Sequence, residues 1–512
     1  MLQSPLRTFE HTVFGTMIDR DDPQVIPDLF AQNIENFITR NRGELEMRDG
    51  LTARGTSPSA TNLGAATVYF ANGVKHMVRV LNGAANTSKF QYSENGITWT
   101  DITSGGSRTS NLKWVFVQAN NNLYGVNGTD TPIKYNGSAI STVSAIPNGT
   151  AIEWHKNFLW VIGVAATPDR LYFSNANDPE TWGGSDFINV NLGDASPGVG
   201  LKGSPGSIAS GVGGRLYVGK ARSMWYLTGT SSTNFAIQPL TYEHGVASHE
   251  SMISVKNDTW CIDENGNIRG LYRTTEDNPF SANRSDVIST TIAGLNRAAL
   301  SKATAVYTSD NFAMFFVPYG VGDYNSLVLV FDTQANNGKG GWIKFTGWNI
   351  ARAVIFNDGT PKLFLFDART NNGQAYEWTG TSDNGSAIRA IYETKIYDHG
   401  SAERRKKWRF AYQFAPSLGA VNVNFYVSID RYYYTLLKTF PLSGVGDALW
   451  GVAQWGVDNW GSGGYIQEKI RFSDGGGATR GYSMQVKLEA QSSVTKVKLR
   501  KFTAHYRVKG LR

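Results

Sequence analysis

The stretch Gly214-Arg215-Leu216-Tyr217-Val218-Gly219-Lys220-Ala221 comes within one residue of the phosphate cradle G-x-x-x-x-G-K-[ST]. Such a site needs a hydroxyl after the lysine to hold Mg²⁺ and an open nest of amides leading into a helix. Ala221 has no hydroxyl, and the intervening residues alternate as a strand does, so the segment predicts a strand and no nucleotide site. Glycoside hydrolysis would need two facing carboxylates, one with a raised pKa. Asp178 with Glu180, and Asp263 with Glu264, supply acids, but nothing in their spacing sets them across a cleft. Glu243-His244 with His249-Glu250 is the one cluster with metal-ligand types, and a polar turn is its simpler reading. No Ser/His/Asp or Cys/His set stands out. No catalytic residue, metal ligand or cofactor is therefore assigned, and the chain is read as a non-enzyme.

What must position these residues is a rhythm of paired hairpins, recurring about every 40 residues from Ala66 to Gly380. Short runs alternate aromatic or β-branched residues with polar ones, and turns such as Asn72-Gly73, Asn127-Gly128, Asn265-Gly266 and Asp358-Gly359 separate them. This predicts an all-β protein built on a β-propeller of six or seven blades, near 66–104, 108–146, 150–192, 205–241, 247–285, 303–348 and 349–380. A helix-like stretch, Ile292 to Leu300, interrupts the rhythm as an insertion. Gly96-Ile97-Thr98-Trp99, with Glu94 at the position of the usual Asp, resembles the Asp-box hairpin of sialidases and other propellers, where the box is structural. Residues 1–65 read as an N-terminal arm and linker with a short helix over Asp28 to Thr39, where Leu29, Phe30, Ile34, Phe37 and Ile38 are apolar. The propeller occupies 66–385. From 386 to 512 the strands lengthen, which predicts a C-terminal antiparallel β-sandwich domain.

Composition bounds the rest. The 55 glycines suit many tight turns, and 14 Trp with 18% charged residues speak for a chain that folds completely. One cysteine, Cys261, excludes an internal disulfide framework and fits a reducing compartment. No apolar run is long enough to span a bilayer, so no membrane insertion is expected. Charge is uneven: from Ser386 onward 20 Lys and Arg face 9 Asp and Glu, an excess of +11 that leaves −4 on residues 1–385. A solvated strand surface is the simpler reading of that excess, and an acidic or nucleic-acid partner the other.

Two segments are candidate interfaces. Trp450, Trp455 and Trp460 recur every five residues in a Gly-interrupted loop, a period of neither strand nor helix. Three indoles are costly to leave in water, so they pack on their own sandwich or insert into a neighbour, and insertion is the expectation adopted. The run Arg404, Arg405, Lys406 and Lys407 is the densest basic segment of the C-terminal domain.

The order of Arg48-Asp49-Gly50, then Arg170-Leu171-Tyr172-Phe173-Ser174 with Asn177-Asp178-Pro179-Glu180-Thr181-Trp182, then Gly245-Val246-Ala247-Ser248 leading into Trp260-Cys261-Ile262-Asp263-Glu264-Asn265-Gly266, resembles the tail hub and nozzle proteins of short-tailed bacteriophages, also called packaged-DNA stabilisation proteins. The likeness spans most of residues 40–385. It implies a virion protein made in the host cytoplasm, a homohexameric ring that continues the DNA exit channel below portal and adaptor proteins, holds packaged DNA without reading its sequence, and docks fibres or spikes. The negative balance of residues 1–385 leads us to expect a mostly non-basic channel wall, with the positive surface turned to protein neighbours or solvent. The alternative is a propeller that binds or cleaves glycans, as a receptor-binding or depolymerase part would.

Overall fold

The computed structural model describes residues 4–40, 43–83, 87–194, 196–204, 206–207, 212–271, 282–416, 421–442, 465–474 and 479–509. Seven four-stranded antiparallel meanders form the propeller: 62–102, 115–142, 151–189, 198–241, 253–283, 304–346 and 350–378, blades 1 to 7. The first strand of blade 7, Ile350–Asn357, lies beside the first strands of both blade 6 and blade 1, which closes the ring at seven blades. Alternation drives each blade. In Phe158–Ile162 all five side chains are buried because the strand lies between neighbouring blades, whereas partly solvated strands such as Arg170–Phe173 alternate. Hairpin turns fall where the Asn-Gly pairs predict, with Gly73 at φ 87° and Gly266 at φ 90°, a region closed to most side chains.

Blade 7 owns only three of its strands. The fourth is Leu51–Arg54 from the N-terminal arm, antiparallel to Ala375–Trp378, so segments distant in sequence clasp the ring. The arm is bound along most of its described length. Arg7–His11 pairs with Phe502–Val508, and Glu44–Met47 pairs with both Phe37–Ile38 and Lys498–Arg500.

Ala31–Glu35 is a strand, which overturns the helix expected over Asp28 to Thr39. It lies between the last strand of blade 6, Gly341–Thr346, and Ile388–Thr394 of the C-terminal domain. Two sheet edges with unpaired amides offer more hydrogen bonds than an isolated short helix can make, and context overrides periodicity. Asn36, at φ 58°, then breaks any helical continuation.

That insertion has a larger consequence. Blade 6 continues through Ala31–Glu35 into four C-terminal strands, giving one nine-stranded sheet shared by propeller and sandwich. The second sandwich sheet is built from Arg7–His11, Phe502–Val508, Lys406–Pro416 and Tyr465–Arg471, with Arg480–Gly481 at its side. Inward residues of the two sheets, among them Phe425, Val427, Leu488, Trp408, Ala411 and Phe502, belong to the same apolar core that runs through blades 5 to 7. The helical insertion before blade 6 is short, an α-turn Ser289–Ala293 followed by a 3-10 segment Arg297–Lys302.

At the seam sits Arg48, fully buried. Its Nε donates to Asn36 Oδ1 (2.7 Å), its Nη1 to Asp49 O (2.8 Å) and Asp383 Oδ1 (2.9 Å), and its Nη2 to Thr346 O and Asp383 Oδ2 (2.9 and 2.7 Å). The guanidinium also stacks over Trp348 at 4.3 Å. One side chain thus ties the arm, the end of blade 6 and the linker into the sandwich. Gly50 is required beside it because a Cβ there would lie 2.0 Å from Ser382 O.

Candidate interaction surface and charged clusters

The acids and cations singled out from sequence are mostly engaged in architecture. Lys220 lies in strand Leu216–Lys220, fully buried, and its ammonium meets Asp169 Oδ1 (2.8 Å), Val190 O (3.1 Å) and Asp194. Asp263 accepts from the Asn265 and Asn267 amides (2.9 and 2.8 Å) and from Arg269 Nε (2.8 Å), which fixes a hairpin turn. Glu264 caps the Gly245 amide (2.7 Å). Glu180 binds Lys134 Nζ (2.8 Å) and Tyr124 Oη (2.9 Å), while Asp178 Oδ1 accepts the Glu180 amide (3.1 Å). In the Asp-box-like hairpin, Asn95 Oδ1 accepts the Ile97 and Thr98 amides (2.8 and 2.9 Å), while Glu94, at the position of the usual Asp, faces His76. The thiol of buried Cys261 is pushed up by desolvation.

The cluster Glu243-His244 with His249-Glu250 divides. His244 turns toward Glu243 and Glu264. His249 accepts the Leu201 amide at Nδ1 (3.1 Å), and burial, with Lys202, Arg352 and Lys113 adding, holds its pKa far below the usual imidazole value. Among the described residues no group of three or more His, Cys, Asp and Glu is placed to hold a metal.

Glu250 belongs to a constellation that sequence gave no means to find. Its carboxylate, 2% exposed, lies 3.0 Å from Lys113 Nζ and pairs with Arg352 Nη1. Lys113 also reaches Ser248 Oγ (3.2 Å) and Ser301 O (3.1 Å). Residues leading into the first strands of blades 2, 5 and 6 thus meet one from the first strand of blade 7, bridging the propeller's axis. Enclosure and the neighbouring Arg352 lower the Lys113 pKa, but 38% of its side chain stays accessible, which limits the effect. The three charges stand more than a hundred residues apart in sequence, so no local pattern reports them.

The candidate interface residues fare differently. Trp450, Trp455 and Trp460 lie outside the described residues. Arg404 and Arg405 are exposed where the chain enters strand Lys406–Pro416. Lys406 is turned inward and buried, its ammonium donating to Ser401 O and Tyr482 O (2.8 Å to the latter), so it is not available to a partner. Strand alternation gives Lys407 the outer face, opposite Arg480 on one side and Arg507 on the other. Repulsion from Arg480, then Arg409, Lys509 and Arg507, lowers its pKa.

The same outer face carries rings. Phe410 lies against His505 (4.5 Å) and Tyr412 (5.6 Å), and Lys469 Nζ sits over both rings at 4.7 and 5.8 Å. Lys501 Nζ lies 5.1 Å from the Phe414 centroid. The sheet therefore presents cations on an aromatic base, chemistry suited to an acidic partner.

No protein-family model matches the chain, and no curated protein matches its sequence. Similar solved structures include PorZ, a bacterial surface component of the type-IX secretion system of Porphyromonas gingivalis, at 11% identity and TM-score 0.40 over 82% of this chain and 60% of that one. The BBS1N domain crystallised with ARL6DN gives 10%, 0.38, 66% and 98% in the same order. An exo-β-1,3-galactanase from Phanerochaete chrysosporium gives 10%, 0.29, 90% and 100%. The β-propeller is fixed by strand pairing within this chain. At these scores the neighbours carry no argument beyond it.

Proposed function

We propose that the chain is a structural virion protein of a phage tail, a ring subunit of the hub or nozzle type that continues the DNA exit channel and carries no catalysis. What supports this reading most is the nine-stranded sheet that makes propeller and sandwich one piece. A part that holds back pressurised DNA must resist bending at its joints, and a hydrogen-bonded sheet crossing the joint, clasped by the arm and tied by Arg48, resists it. Because charged side chains bridge the propeller's own axis, the conduit in this reading runs between subunits of the ring, most simply six. The cation-and-aromatic face of the sandwich is the surface proposed for portal, adaptor, fibre or spike contacts, since ring assembly needs extensive complementary surface. The acids considered for glycan cleavage are engaged in turns and ion pairs, which disfavours the depolymerase reading.

Cryo-electron microscopy of virions from a phage that encodes this chain tests the proposal. Density for six copies in a closed ring at the tail is the expected result. A monomeric position, or absence from the particle, overturns it.

A further inference from the structure

The mouth of the propeller's axis holds a pocket of about 290 Å³ between blades 1, 2, 6 and 7, near the lower end of the size of small-molecule sites. Its charged lining is Lys113, Arg352 and the Lys302–Asp323 ion pair, whose two charges offset each other. Lys113 and Arg352 share the single carboxylate of Glu250 behind them, so the wall keeps a surplus positive charge.

The pocket is also lined by polar groups that no protein atom satisfies. Asn62 is 5% exposed, and neither its Oδ1 nor its Nδ2 has a hydrogen-bond partner. Asn325 is 2% exposed and uses its Nδ2 on Lys302 O and Ile350 O (2.9 and 2.7 Å), but its Oδ1 has no partner. Arg352 Nε is likewise unbonded. A buried amide without partners costs about 1–3 kcal/mol, and natural cores rarely keep several in one place.

These groups specify a ligand. The cations and Arg352 Nε call for an anion, and a planar carboxylate suits the guanidinium. The two free amide oxygens accept only, so the same ligand must carry hydrogen-bond donors, which hydroxyls supply. We propose that this pocket binds a small hydroxylated carboxylate, the size and chemistry of one acidic sugar residue. The site stands independently of the tail reading, because it rests on the pocket alone.

Titration calorimetry of the full chain with glucuronate, glucose and inorganic phosphate tests the site. Glucuronate should bind, and glucose and phosphate should bind at least tenfold more weakly. Asn62→Leu should lose glucuronate binding by at least tenfold while melting no lower than the parent, since it removes an unsatisfied amide and no bond. An oligosaccharide ending in glucuronate distinguishes a surface glycan from a free sugar acid: binding as tight as the monosaccharide's assigns the first source, and exclusion assigns the second. No glucuronate binding, equal binding of phosphate, or an unchanged affinity in a folded Asn62→Leu protein overturns the proposal.

Discussion

Arg48 and the Lys113–Arg352 pair are both cations held deep in the fold, and they differ in how completely the fold answers them. Arg48 meets five acceptor contacts on Asn36, Asp49, Thr346 and Asp383 and lies over Trp348. Lys113 and Arg352 share one carboxylate; the Lys113 ammonium is completed by Ser248 and Ser301 but keeps accessible surface, and Arg352 keeps an unbonded Nε. A buried charge with every donor matched fixes geometry, whereas a charge with donors to spare leaves chemistry available. The first is a seam and the second a site.

Removing Arg48 should break the seam. Arg48→Met takes the guanidinium from the Asp383 carboxylate, leaving it Trp348 Nε1 (3.0 Å), and removes a donor from Asp49 O and Thr346 O, and the loss should be about 3–5 kcal/mol, as for other broken buried pairs. Urea unfolding followed by tryptophan fluorescence would measure it, and a loss below about 1 kcal/mol would mean that the five contacts are not the tie they look like.

Acid probes a different buried set. His11, His155 and His399 each have a pKa lowered from 6.5 to about 4, mainly by burial. Between pH 6.5 and 4 the unfolded chain therefore binds more protons than the folded one, so stability is complete above the unfolded value and declines as pH falls through this window. The loss is about 3 kcal/mol at most for each histidine. Two of the three, His11 and His399, lie in the sandwich against Phe502 and Tyr506 (4.9 and 4.4 Å). Urea midpoints measured from pH 7 to pH 4 should fall steadily, and a flat profile would show that these imidazoles find protonated-state partners.

The smallest effect belongs to the axis. Arg352→Met should cost only about 1–2 kcal/mol, because Lys113 still answers Glu250 and an unsatisfied Nε disappears with the guanidinium. Thermal melting against Arg48→Met sets the two cations side by side. If Arg352→Met proves the more damaging, the division into seam and site is reversed.

Much of this architecture was legible beforehand. The Asn-Gly turns and period-2 runs located the hairpin pairs, with the count left at six or seven, because turn chemistry and alternation are local properties of the chain whereas closure of the ring is not. The Lys220 segment is the strand expected of it, although it is buried at every position rather than at alternate ones, and Ala221 lacks the hydroxyl of a phosphate loop. The arm was not. Ala31–Glu35 takes its form from edges supplied by residues 341–346 and 388–394, which no window around it contains. Lys406 counted among the basic residues of an interface because composition cannot say which face of a strand a residue takes; the register with Gly481 and Val508 settles that it points inward. The Glu250 constellation escaped for the same reason as the arm, its members being joined only by the closing of the ring.

The account depends most on propeller and sandwich behaving as one body. Differential scanning calorimetry of the full chain tests this directly. The shared nine-stranded sheet, the common core and the Arg48 seam predict a single cooperative transition, which Arg48→Met lowers in temperature or splits. Two well-separated transitions in the parent protein, one for each lobe, would contradict it.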